Sequence, residues 1–147
     1  MDSSVDSCPP CWVAVEVNTA AGLPTSVPLA HSAPSPSMKC FTDGLGAEWA
    51  SGTLVGKPAA VFTSTATQHG GQESTLLSMQ VPLLHHGCVI VGIPFTEPQL
   101  SSTRTGGTPY GASHVAGHDG QVALSEHEQQ LALAQGKRLA EMALRLA

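Results

Sequence analysis

The chain has 147 residues, of which 41% are hydrophobic, 4% aromatic and 12% charged, and its formal net charge is -5. This length predicts one domain with enough chain to bury a core. A mildly acidic chain without a basic cluster argues against nucleic acid or an anionic membrane surface as a partner, and no apolar run is long enough to predict a membrane span.

The first 37 residues differ in composition from the rest. They contain no Lys or Arg and six of the eleven prolines. Proline removes backbone donors and restricts its neighbours, so residues 1–37 are predicted to be irregular or disordered. Within them, Cys11–Val17 has strand propensity, which allows one short strand. Residues 38–147 are predicted to be the ordered part of the chain.

The four cysteines, Cys8, Cys11, Cys40 and Cys88, do not have the spacing of a disulfide framework. Cys8 and Cys11 form a CxxC motif, which is a redox pair, half of a metal site, or two unstructured residues. Zinc needs two further ligands, and Cys40 and His31 do not form a second close pair, so no metal site is predicted. The N-terminus lacks the basic residues of a secretory signal. These features favour a cytoplasmic protein with reduced thiols.

The ordered part begins with Met38–Ala50, read as helical turns broken at glycines, with Trp49 in a polar loop as a packing anchor or a ligand contact. The continuously apolar Pro58–Phe62 predicts a buried parallel strand. It enters Ser64–Gly71, a loop of hydroxyls, an amide and exposed backbone that lacks the Gly-Lys-Ser/Thr ending of a P-loop. This loop is either a plain connection or able to hydrogen-bond a planar ligand with polar edges.

A helix is predicted over Gln72–His86, followed by a buried strand at Cys88–Pro94. Pro82 within that helix is expected to cost about 3 kcal/mol or to kink it. His85 and His86 lie at its end, where either one of them could face the crevice of the Ser64–Gly71 loop or both could be structural. Adjacent residues do not share a helix face, so at most one points into a site.

About thirty residues without periodicity follow, and an irregular stretch of that length favours a functional or interface loop. Ser125 and Glu128 have the spacing of a capping box, which predicts the start of a final helix. The buried stripe of this helix is predicted to consist of Ala132, Gln135, Leu139, Met142, Ala143 and Leu146.

From Met38 onward the chain resembles the type IV NAD(P)H:quinone oxidoreductases, flavodoxin-like FMN enzymes once named for their supposed binding to the tryptophan repressor. The segments that carry the resemblance are Trp49-Ala50-Ser51-Gly52, Phe62–Ala66, His69–Glu73, His85-His86-Gly87, Gly106–Ala112 and the helix after Ser125. They occur in the family's order and correspond to its C-terminal half.

The resemblance implies an α/β fold with part of a flavodoxin-like parallel sheet, whose complete strand order is 2-1-3-4-5 with FMN at the carboxyl ends of the strands. Pro58–Thr63 matches strand four, and Cys88–Ile93 matches strand five. The first three strands and the phosphate-binding loop have no match in residues 1–37. The outer edge of strand four is therefore expected to be exposed.

The resemblance also implies the roles of particular residues. Trp49 matches the tryptophan that walls the flavin and quinone pocket, and His85 matches the histidine that approaches both, as catalytic and cofactor-binding residue. The residues implied to border the flavin ring are Ser64, Thr65, Ala66, Thr67, Gln68, His69 and Gly70. NAD(P)H would reduce FMN, and a quinone would then take two electrons. The family is tetrameric, with sites completed by neighbouring subunits.

Two alternatives remain open from the sequence. The chain is a non-catalytic, truncated or rearranged fragment that associates with a full-length homologue through the long loop and the final helix. Otherwise, Cys8 and Cys11 give it a thiol or metal function.

Overall fold

The computed structural model describes residues 13–18 and 36–146. Its elements in chain order are β1 (Val13–Asn18), α1 (Pro36–Asp43), α2 (Gly46–Ser51), β2 (Pro58–Thr65), α3 (Gln72–His85), β3 (Val89–Ile90), α4 (Gln99–Ser102), β4 (Ala112–Val115) and α5 (Glu126–Leu146). All strand pairs are parallel, so the predicted α/β class with a parallel sheet is confirmed. Among the described helices, none is long and apolar enough to cross a membrane.

Strand β2 is the centre of the sheet. Ala59 is paired with Val13 of β1 and also with Ile90 of β3, while Phe62 is paired with β1 and with Ala112 of β4. Because a strand has only two edges, β3 and β4 must share the edge opposite β1. The two short strands therefore cover successive halves of β2.

The expectation of an exposed edge on β2 is wrong, because β1 pairs with that edge along Ala59–Ser64. This is the short strand that the composition of Cys11–Val17 allowed. A buried strand leaves a row of N–H and C=O groups that need partners, and β1 supplies them. The division of the chain at residue 38 stays a prediction, since the rest of the N-terminal segment lies outside the described residues.

The two faces of β2 are covered by different helices, as the alternation of side chains along a strand requires. Ala59 and Val61 pack against α3, in a core completed by Leu76, Met79, Leu83 and Cys88. Ala60 packs on the other face, with Val91 and Leu139 of α5. Helix α3 continues through Pro82 to its end.

The predicted strand at Cys88–Pro94 is shorter than expected. The N–H of Val91 still donates to the carbonyl of Ala59 at 2.8 Å, but the N–H of Ile93 donates to Pro109 at 3.0 Å. After Val91 the chain therefore no longer pairs with β2. Strand β4, which the sequence pattern did not predict, pairs with the rest of that edge. Buried Gln135 bridges the junction: its Nε2 donates to Val61 O at 3.1 Å, and its Oε1 accepts from the Ala112 N–H at 2.7 Å.

The buried face of α5 differs from the predicted stripe at two positions. Gln135, Leu139 and Ala143 are buried as predicted, whereas Ala132 is exposed and Leu146 is 50% exposed. The stripe passes instead through Glu128 and fully buried Leu131, giving the series Glu128, Leu131, Gln135, Leu139 and Ala143. Ala132 lies on the flank of this stripe, and Leu146 lies in the last turn.

Candidate functional site

The Ser64–Gly70 loop leaves the carboxyl end of β2, where parallel α/β sheets bind ligands. Its shape is fixed locally. The Thr65 hydroxyl donates to Thr67 O at 2.9 Å, and the Gly70 N–H donates to the same carbonyl at 3.0 Å. Gly71 follows with φ 87°, a conformation that favours glycine, and directs the chain into α3.

A polar cavity of about 480 Å³ opens between this loop, the first turn of α3 and the long loop, residues 103–111, that precedes β4. Its lining residues are Gln68, His69, Gly71, Gln72, Glu73, Ser74, Thr105, Gly107 and Thr108. Within the described part of the chain, this lining includes no Lys or Arg. An anionic group here would therefore have to be held by neutral polar groups, backbone N–H groups and the α3 dipole.

The two walls of the cavity are joined by a series of hydrogen bonds, of which the one between Ser113 and Gln72 is buried. Gln72 Nε2 donates to the carbonyl of Gln68 at 3.0 Å, and the Ser113 hydroxyl donates to Gln72 Oε1. The N–H of Gly107 donates to Ser113 Oγ at 2.8 Å. The predicted ligand loop is thus tied to the long loop through two side chains that the sequence analysis did not single out.

Glu128 of α5 holds the long loop at Gly106. Its Oε1 accepts from the N–H groups of Gly106 at 2.8 Å and Val115 at 3.0 Å, and its Oε2 accepts from the Ser125 N–H at 2.7 Å. His114 Nδ1 lies 3.1 Å from Oε2. Burial favours a higher pKa for Glu128, but these hydrogen bonds to Ser125, Val115, Gly106 and His114 outweigh it and lower the pKa to about 2.

Trp49 and His85 form a second candidate group. Their rings are stacked, with centroids 5.7 Å apart and planes 7° from parallel. Trp49 lies in helix α2 and not in the loop that the sequence predicted, and 54% of it is exposed. A flat aromatic surface therefore faces solvent at this point.

The two candidate groups lie at opposite ends of the sheet. Gly87, just after α3, accepts from the Gly56 N–H at 2.9 Å, and the Val89 N–H donates to Lys57 O at 2.9 Å, so the end of α3 adjoins the start of β2. Helix α3 has 14 residues and separates its ends by about 20 Å. The expectation that His85 faces the Ser64–Gly71 crevice of its own chain is wrong, because the helix runs antiparallel to β2.

The neighbouring His86 has a different environment. It is 8% exposed, and its ring is inclined by 80° to that of His85. Its Nδ1 is buried and has no hydrogen-bond partner among the described residues. Of the two histidines, His85 is therefore the accessible one.

The residues predicted to border the flavin do not share one surface. Gln68 and His69 line the polar cavity, Thr65 is buried, and Ala66, Thr67 and Gly70 are half-buried. Ser64 lines a separate, apolar cleft of about 540 Å³ between the sheet and α5. The described residues contain no group of three or more potential metal ligands. The CxxC motif and His31 lie outside the described residues.

The chain is similar to curated enzymes named NAD(P)H dehydrogenase (quinone). It is 51% identical over 112 residues to the one from Chromohalobacter salexigens, which is 75% of this chain and 56% of the relative. It is 49% identical over 112 residues to the one from Methanosarcina mazei, 54% of that relative. The chain thus spans about half the length of the curated relatives it matches. No protein-family model matches it.

Among solved structures, the chain is similar to a WrbA-like flavodoxin from Agrobacterium tumefaciens. The TM-score is 0.66 at 18% identity, over 92% of this chain and 68% of that one. This likeness establishes the flavodoxin-like fold, and the predicted resemblance is confirmed. Over 75% of its length, the chain is related to the NAD(P)H dehydrogenases (quinone) and carries part of a flavodoxin-like fold.

Proposed function

We propose that the chain acts in FMN-dependent reduction of quinones by NAD(P)H, in the cytoplasm, as a homo-oligomer of the kind the resemblance implies. The observation that carries this proposal is the 51% identity to an enzyme named NAD(P)H dehydrogenase (quinone). A polar cavity at the carboxyl ends of the strands supports it, since ligands of parallel α/β folds bind there.

The described residues fit the ring side of FMN better than its phosphate. Gln68 and His69 offer side-chain and backbone groups to the polar edge of a planar ring, and Thr105 offers a hydroxyl from the opposite wall. The buried Thr108 hydroxyl is not available in the same way, because it already donates to Gly111 O at 2.9 Å. When bound, FMN would accept a hydride from NAD(P)H and supply two electrons to a quinone. The chain's own residues would bind and orient the reactants.

A complete site would combine the loop of one chain with Trp49 and His85 of another. In this arrangement the aromatic stack would form a wall for the flat quinone ring, and His85 would donate a hydrogen bond to a quinone oxygen. Helix α3 carries an exposed apolar stripe at Leu77, Val81 and Leu84, which are 43%, 65% and 58% exposed. Such a stripe suits contact with a neighbouring subunit.

The test is to purify the chain with added FMN and to measure flavin absorbance after gel filtration and NADH-driven reduction of benzoquinone. We expect flavin to be retained and His85→Ala to lower kcat at least about tenfold. The control is His118→Ala, at an exposed histidine in the loop after β4. Failure of the wild-type chain to bind FMN or to reduce benzoquinone would contradict the proposal.

Mixing two inactive variants tests whether the site is shared between chains. One variant carries Trp49→Ala and His85→Ala, and the other carries Gln68→Ala and His69→Ala. If each site draws its two halves from different chains, mixed oligomers regain roughly a quarter of the wild-type activity. If each site lies within one chain, mixing restores none.

A second candidate function is that of a non-catalytic fragment bound to a full-length relative. The apolar cleft beside α5 favours it, because Phe62 and Leu124 in its lining are 37% and 59% exposed. The chain also spans only 56% of its relative. In this case the purified chain would remain colourless with FMN, and it would co-elute with a full-length relative added to it.

A further inference from the structure

We propose that Ser113 is a positioning residue that fixes the spacing between the two walls of the polar cavity. This inference rests on the proposed function only where it predicts an effect on ligand affinity. The positioning itself follows from the contacts of Ser113, a residue of β4 that lies outside the cavity lining.

The Ser113 hydroxyl both donates and accepts a hydrogen bond. It donates to Gln72 Oε1 and accepts from the Gly107 N–H at 2.8 Å. Gln72 in turn donates to the Gln68 carbonyl at 3.0 Å. Ser113 and Gln72 are 5% and 7% exposed, and the bond between their side chains is buried, so a polar group left unpaired there is costly. One hydroxyl therefore links the candidate ligand loop to the opposite wall.

Two glycines let the opposite wall approach β4 and α5 closely. A Cβ at Gly106 would lie 2.1 Å from Ser113 O, and one at Gly107 would lie 2.3 Å from Leu131 Cδ1. Glu128 accepts from the Gly106 N–H while Ser113 accepts from the Gly107 N–H. Adjacent amides are thus bound to two different side chains, and each bond can be removed separately.

The first experiment follows backbone amides by NMR in the full chain. Ser113→Ala should raise hydrogen exchange at Gly107 at least about tenfold, since its N–H loses the Ser113 acceptor, and leave Gly106 unchanged. It should also shift the amide signal of His69, whose peptide group contains the Gln68 carbonyl. Ser113→Thr keeps the hydroxyl and should restore both signals. An unchanged His69 signal in Ser113→Ala would overturn the proposal.

Gln72→Met is a second variant, which removes the acceptor of the Ser113 hydroxyl and the donor to the Gln68 carbonyl. It should shift the His69 signal while Gly107 keeps its protection, because Ser113 still accepts from that N–H. If Gly107 lost as much protection as in Ser113→Ala, its bond to Ser113 would depend on Gln72, which would contradict the central place of Ser113 in this series of hydrogen bonds.

The second experiment measures FMN affinity by flavin fluorescence. Ser113→Ala should weaken binding about tenfold, with Ser113→Thr close to wild type and Ser102→Ala, an exposed serine of α4, as control. A purely structural residue would lower the melting temperature without this change in affinity, and equal affinities would refute the positioning role. If the wild-type chain binds no FMN, the proposed function fails, and the NMR signals alone decide the role of Ser113.

Discussion

The low pKa of Glu128 makes a quantitative prediction about stability. A fall from an ordinary 4.5 to about 2 corresponds to about 3 kcal/mol, at about 1.4 kcal/mol per unit. The folded chain binds this proton less tightly than the unfolded chain. Its contribution is therefore complete above about pH 5 and declines as the pH falls towards 2. By pH 3 more than half of it should be lost.

The assay is urea unfolding of the wild type and of Glu128→Gln between pH 6 and pH 3. Gln resembles the protonated acid, so the difference in the free energy of unfolding should be about 3 kcal/mol at pH 6 and about 1 kcal/mol at pH 3. Glu126→Gln removes an exposed charge from the same helical turn and should show no such pH dependence. A gap between wild type and Glu128→Gln that is equal at both pH values would refute the role of the ionised carboxylate.

Three further predictions follow from burial and backbone geometry. Burial raises the pKa of the Cys88 thiol, so labelling followed by mass spectrometry should show it reacting at least about 100-fold more slowly than exposed Cys40; equal rates would contradict its burial. Leu76 is 0% exposed, and Leu76→Ala should cost about 3 kcal/mol in urea unfolding, whereas a loss below about 1 kcal/mol would argue against this core. Pro82→Ala provides an N–H for the Ser78 carbonyl and should stabilise the chain by about 1–3 kcal/mol; destabilisation would contradict that account.

Local patterns predicted much of the fold. The apolar run at Pro58 became β2, the leucine periodicity after Gln72 became α3, and the Ser125–Glu128 spacing marked the start of α5. Each of these signals lies within a few residues of the element it defines. β4 was missed because Ala112–Val115 has no apolar alternation, and it is a strand only because β2 offers an edge.

The candidate site was less predictable because its hydrogen bonds join residues that are far apart in the sequence. The loop after β2 was recognised from composition, but the bonds that hold it join Gln72 to Ser113, 41 positions apart. The role of Glu128 beyond its cap also depends on Gly106, 22 positions away. No short motif encodes such contacts. The position of His85 depends on the direction in which α3 runs back along β2, which no pattern near His85 encodes.

The direction of α3 has a consequence for how activity would depend on protein concentration. Each chain carries the polar cavity at one end of the sheet and the Trp49–His85 stack at the other. Under the proposed function, a monomer therefore has no complete active site. Competent sites then form by mass action. Below the dissociation constant of the pair of chains that forms one site, velocity should rise with the square of the chain concentration, so dilution should lower the activity per chain.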